Sequence, residues 1–103
     1  MQVLNLKILE GSFKADSRVK VSVEVLNSTN SDFTGNVQLM LTTDINKTEQ
    51  TSSRTIRLNK AESKEVEFTF TPDFSGIYQV NYLLINSATG KTLSGTLAKG
   101  EII

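Results

Sequence analysis

KEVEFTFTPDFSGIYQV, residues 64–80, decides how the chain is read. It holds the single proline, Pro72, together with Phe68, Phe70, Phe74 and Tyr78; Tyr82 follows just beyond, and of the aromatic residues only Phe13 and Phe33 lie elsewhere. Apolar alternation flanks the Pro-Asp-Phe-Ser-Gly segment on both sides. Val66, Phe68 and Phe70 alternate with Glu65, Glu67 and Thr69; Tyr78, Val80, Tyr82 and Leu84 alternate with Gln79, Asn81, Leu83 and Ile85. A period of two describes a strand with one buried face. Pro72 has no N–H to give a neighbouring strand, so it ends the first run. Gly76 permits the reversal that follows. The stretch is a corner between two core strands of a sandwich.

The same period runs outward from this corner. Val19, Val21, Val23 and Val25 alternate with Lys20, Ser22, Glu24 and Leu26, and Val37, Leu39 and Leu41 alternate with Gln38, Met40 and Thr42. Three weaker runs complete the set: residues 3–10 with Leu4, Leu6 and Ile8 on one face, 51–58 presenting Ile56 and Leu58, and 91–98 with Leu93 and Leu97 inward. Polar connections separate them at 10–12, 27–36, 44–50, 59–63 and 86–90. Residues 59–63 are short enough for a hairpin, and 86–90 suit a hairpin loop with Gly90 at positive φ. About seven strands at this spacing, with no helix of useful length, predict an all-β antiparallel sandwich over residues 1–103.

Composition narrows the function classes. One hundred and three residues can bury one core without metal or disulfide. Lys plus Arg and Asp plus Glu are both 11, so the formal net charge is zero. A basic nucleic-acid footprint is therefore not expected, nor attraction to an anionic membrane surface. No apolar run approaches the ~18 residues of a membrane span, and no signal peptide is expected. The absence of Cys removes disulfides, thiolate metal sites and cysteine nucleophiles, and the absence of His removes the commonest general base.

The runs VKVSVEVLNSTNSDFTGNVQLML and LNKAESKEVEFTFTPDFSGIYQVNYLLI resemble the bacterial Ig-like modules related to cell-adhesion domains, the CARDB-like family. The shared features are a valine-rich strand ending in Asn27, a polar loop, a strand opening with Gly35-Asn36-Val37, and F-x-F-x-P-x-x-x-G-x-Y. The likeness covers residues 18–85; the polar stretch at 46–53 departs from it. It implies an Ig-like or fibronectin-III-like sandwich that serves as an accessory module in a larger secreted or surface-attached bacterial protein. That is a fold-level analogy. In such sandwiches a tyrosine placed like Tyr78 hydrogen-bonds backbone a few residues upstream, here within 72–75; the alternative is an ordinary core tyrosine with a wet hydroxyl.

Glu65 and Glu67 form a carboxylate pair, but both belong to the solvent face of one strand. Ser63-Lys64 lies in a turn without an oxyanion frame. An all-oxygen metal site would draw on Asp16, Asn30, Asp32, Asp44 and Asp73, yet these show no regular ligand spacing and suit Asx turns. No catalytic residue, metal or cofactor is expected. Asn27-Ser28-Thr29 and Asn46-Lys47-Thr48 match the glycosylation sequon, which a bacterial chain rarely uses. Met40, Leu83 and Ile85 have the outward parity of their strands and predict a small apolar patch on one outer sheet face. Either loops and the chain end 101–103 cover it, or it docks a neighbouring domain or another protein. The alternative expectation is a glycan or host-protein ligand held by the loops that carry Phe13 and Phe33.

Overall fold

The computed structural model describes residues 1–43 and 48–103, the side chain of Glu49 excepted. Seven strands follow in order: β1 (Gln2–Glu10), β2 (Val19–Leu26), β3 (Phe33–Thr43), β4 (Thr48–Leu58), β5 (Ser63–Phe70), β6 (Gly76–Asn86) and β7 (Thr92–Ile102). No helix occurs among the described residues. The strands form two antiparallel sheets, ordered β1-β2-β5 and β4-β3-β6-β7. The fold is the all-β antiparallel sandwich that the alternation predicts, of the Ig-like or fibronectin-III-like kind that the resemblance implies.

The four valines of β2 are wholly buried, as are Val37, Leu39 and Leu41 of β3, Leu58 of β4 and Val80 of β6. Phe68 and Phe70 on β5 fill the space between the sheets. Each of these residues occupies the inward parity of its strand, so local pleat and global burial agree. Ile102 of β7 closes the far end of the core.

Residues 59–63 do not close a hairpin. β4 pairs with β3 and β5 pairs with β2, so this connection crosses from one sheet to the other. The buried Asn27 side chain holds the crossing in place. Its Nδ2 donates to the backbone oxygens of Ser31 (2.8 Å), Asn59 (3.1 Å) and Leu58 (3.4 Å). Its Oδ1 accepts from Thr29 N (3.1 Å) and Thr29 Oγ1 (2.6 Å), and its backbone N–H reaches Glu62 O at 2.9 Å. A side chain with no access to water thereby satisfies the carbonyls of Ser31 and Asn59, which lie between strands, and reaches the last residue of β4. Residues 86–90 do close a hairpin: β6 pairs with β7, and Gly90 has φ 72°.

Bulges correct the sequence reading of both terminal strands. In β7 the register steps from Val80↔Ala98 to Asn81↔Thr96, leaving Leu97 as an extra residue. Parity therefore changes along the strand: Leu93 and Gly95 share the inner face with Leu84 and Tyr82, then Ala98, Gly100 and Ile102 take over. Leu97 still packs against the core from the bulge. In β1 a shift between Val3 and Leu6 sends Val3, not Leu4, against the core beside Leu6. Ile8 pairs with Val21 but stays 46% exposed at the edge.

Phe33 is the first residue of β3 rather than part of a loop, and it is 4% exposed. Replacing either Phe33 or Phe68 by Ala should therefore cost about 3–5 kcal/mol, as for large buried aromatics. Urea unfolding followed by circular dichroism measures both; a Phe33→Ala loss below about a third of the Phe68→Ala loss would place Phe33 outside the core.

Candidate functional site

The two sheets present contrasting outer faces. On β1-β2-β5 the outward positions include Lys7, Lys20, Glu24, Glu65 and Glu67, and Lys20 Nζ stands 3.6 Å from Glu67 Oε2. On β4-β3-β6-β7 the central register rows read Thr55–Asn36–Ile85–Thr92, Ser53–Gln38–Leu83–Ser94 and Thr51–Met40–Asn81–Thr96. Every residue in those rows is uncharged, although charged residues make up 21% of the chain. Arg57, Lys99 and Glu101 appear only toward the ends of this face.

The sequence-predicted patch lies at the centre of it. Leu83 and Ile85 are neighbours on β6, and Met40, opposite Asn81, is diagonal to Leu83. Diagonal cross-strand neighbours remain within reach of long side chains. All three are half-buried, flanked by the polar side chains of the same rows. The chain end does not cover them. Ile102 turns inward opposite Gly76, and the Ile103 oxygen accepts from Ala15 N at 3.0 Å at the far end of the sandwich. Asn36, in the row of Ile85, leaves its buried Oδ1 without a partner among the described residues. This orphan acceptor was not legible in the sequence, since its burial depends on which strands flank β3.

The alternative ligand residues occupy other surroundings. Phe13 is 8% exposed, and its ring stacks on Tyr78 with centroids 4.5 Å apart. Phe33 points into the sandwich end. Both rings are largely buried, and Phe33 also lines a cleft with Met1, Leu84 and Leu93 at that end. Glu65 is exposed on the charged face with Glu67. Asp32 Oδ1 accepts from Lys60 N at 3.1 Å, and Asp16, at φ 60°, donates its N–H to Pro72 O at 2.7 Å. Asp73 and Asn30 are exposed. Asp44 and the Asn46-Lys47 part of the second sequon lie outside the described residues. Among the described residues no group of three acidic, His or Cys side chains converges as a metal site would require. In the first sequon the Asn27 amide is wholly buried and hydrogen-bonded, which leaves it no access to a modifying enzyme.

Tyr78 does not make the expected corner. Among the described residues its hydroxyl has no hydrogen bond to 72–75, and Pro72 O is taken by Asp16. The ring instead lies over Gly100 of β7, where an added Cβ would sit 2.9 Å from a ring carbon. Tyr82 covers Gly95 in the same way, also at 2.9 Å. Each glycine faces its tyrosine across the β6–β7 ladder, so the aromatic ring fills the space a side chain would occupy. Burial raises the Tyr78 pKa above its ordinary 10.0.

No family model matches the sequence, and no curated protein matches it. Solved structures do. The chain is similar to part of a Bacteroides uniformis β-glucuronidase (TM-score 0.72, 16% identity), covering 97% of this chain and 13% of that one. It is similar to a region of B. uniformis β-glucuronidase 2 at TM-score 0.71 and 16% identity, with the same coverage. A β-glucosidase from Erythrobacter marinus matches at TM-score 0.62 and 17% identity over 94% of this chain and 15% of that one. At such identities the likeness establishes the sandwich, and this chain spans only a small fraction of those enzymes.

Two outcomes follow. Tyr78→Phe should change stability by less than about 0.5 kcal/mol at pH 7, because no intramolecular hydrogen bond is lost. The folded pKa of Tyr78 lies above the unfolded one, so the unfolded chain releases this proton first; the associated stability is whole below pH 10.0 and declines as pH rises through the folded value. Thermal melts from pH 8 upward should show that decline in the parent and a shallower one in Tyr78→Phe. Separately, Asn27→Ala strands several backbone groups at once and should cost about 1–3 kcal/mol or more; a urea midpoint equal to that of the parent would deny Asn27 its role at the crossing.

Proposed function

We propose that this domain is a non-catalytic accessory module that spaces and docks neighbouring domains, with the β4-β3-β6-β7 outer face as its contact surface. The observation that carries the reading is the uncharged set of rows around Met40, Leu83 and Ile85. Depletion of charge, with an apolar centre and a polar surround, is the composition of an interface core. A free sheet surface normally carries interspersed charges, as the other outer face does.

Two further observations support it. Met1 N bonds Ser28 Oγ at 3.0 Å at one end of the sandwich, while Ile103 is tied to Ala15 at the other, and the longest dimension is 43 Å. Chain entry and exit at opposite ends suit a spacer. Similar sandwiches also recur as small parts of the glycoside hydrolase chains, where this chain matches 13% of the length. We place its parent among secreted or surface bacterial proteins, as the CARDB-like resemblance implies; docking to another protein in trans would use the same face.

Amide hydrogen exchange compares the isolated domain with the full-length gene product. Docking should slow exchange along β3 and β6 in the longer chain, and Leu83→Thr with Ile85→Thr should abolish that slowing while the domain stays folded. Equal rates in both contexts would overturn docking through this face. Unfolding of the double variant would show instead that Leu83 and Ile85 serve the core.

A further inference from the structure

The sandwich has four edge strands, β1 and β5 in one sheet, β4 and β7 in the other. An open edge offers unpaired N–H and C=O groups to any passing strand, and natural sheets guard against this with bulges, charges and side-chain covers. Three of the edges carry such guards. β1 has two register shifts. β4 turns Arg54 inward over the Phe68 ring, with Cζ 5.3 Å from its centroid. Across the slit between β4 and β5, the Gln50 side chain both donates to Thr71 O and accepts from Thr71 N, and Lys64 Nζ donates to Arg57 O at 2.8 Å.

β7 differs. From Thr92 to Thr96 its register against β6 is unbroken, and the segment TLSGT has no charge and no proline. Lys91 stands just before the segment, and the bulge at Leu97 and the charge of Lys99 come after it. Leu93 is 39% exposed and, with Met1, Phe33 and Leu84, forms the apolar part of a cleft of about 170 Å³ that Asn86, Lys91 and Thr92 complete. An unguarded main-chain edge beside an apolar recess is what strand addition requires: ladder bonds for affinity and a recess for alternate side chains.

We propose that residues 92–96 of β7 pair antiparallel with the same residues of a second copy, on a two-fold axis at Ser94, joining two four-stranded sheets into one. The segment is its own complement in that register. Ser94 meets Ser94 and Thr92 meets Thr96 on the outer face, pairs that exchange hydroxyl hydrogen bonds. On the inner face Leu93 of each copy meets Gly95 of the other, where the hydroxyl-bearing edge of the Tyr82 ring already covers the glycine and leaves no side chain of β7 in the way. Lys91 falls opposite Leu97, so no like charges are brought together. The zero formal net charge removes overall repulsion between copies. A two-fold arrangement closes at the dimer and consumes both free edges.

Sedimentation equilibrium of the 103-residue chain, from about 10 μM to 2 mM, should show reversible dimerisation near the ~0.1–1 mM constant expected of so small an interface. Ser94→Lys and Ser94→Glu, each alone, should weaken it by about threefold or more, since like charges then stand directly opposite; their equimolar mixture should restore it. The chain has no cysteine, so Ser94→Cys provides an independent measure. Under mild oxidation it should form a covalent dimer much faster than Thr51→Cys on the far edge strand. A chain that stays monomeric throughout, a dimer indifferent to both charges, or equal cross-linking at 94 and 51 would each overturn the proposal. A dimer abolished by Leu83→Thr with Ile85→Thr but not by Ser94→Lys would place the contact on the sheet face instead.

Discussion

The rest of the structure depends on the burial of β2. Its four valines stand at every second position with no exposure, and β1 and β5 pair to either side of them. A strand flanked on both edges and buried on one face leaves little freedom of register, because a one-residue slip would send all four valines to the charged surface. Phe68 and Phe70 on β5 thereby turn into the same core as Val37, Leu39 and Leu41 of the opposite sheet. The other strands add to this centre, and their irregularities occur where they run past it: the bulges of β1 and β7 lie at the margins of the sandwich.

The margins are also where polar chemistry is spent. Asn27 sews a chain crossing to two neighbouring segments, while Gln50 and Lys64 bridge the open slit between β4 and β5. These contacts satisfy backbone groups at strand ends and edges, the places where natural sheets guard against foreign strands. The tyrosines use a different device. Each lies over a glycine of β7, so that strand approaches β6 without side chains of its own and relies on Tyr78 and Tyr82 for inner-face contact.

The two outer faces differ in chemistry. One outer face is charged and suits solvent; the other gathers Thr, Ser, Asn and Gln around Met40, Leu83 and Ile85. Solved structures similar to this domain include β-glucuronidase and β-glucosidase chains, and the likeness establishes the sandwich without assigning this chain an activity. The proposed docking role rests on the contrast between faces, and the proposed self-pairing on the uncharged, unbroken stretch 92–96 of β7. The two surfaces meet along β7, whose Thr92, Ser94 and Thr96 end the uncharged rows, yet different substitutions separate them.

Alternation along the chain by itself determined which side chains of β2, β3, β5 and β6 turn inward, because the pleat is a local property of extended backbone. It also placed Met40, Leu83 and Ile85 outside, and the Gly90 turn between β6 and β7. What only the tertiary structure decided is non-local. β4 joins β3 rather than β5, so residues 59–63 cross between sheets, since pairing reflects the summed burial of both strands and not the length of the connection. Phe13 and Phe33, loop residues by pattern, are drawn into the ends of the core because apolar rings there had space to fill. A bulge at Leu97 lets two successive apolar parities in β7 both face inward, which no single period could express. The uncharged face became visible only once four strands stood side by side, for its rows are assembled from residues 36–42, 51–55, 81–85 and 92–96, segments that only the folded sheet brings together.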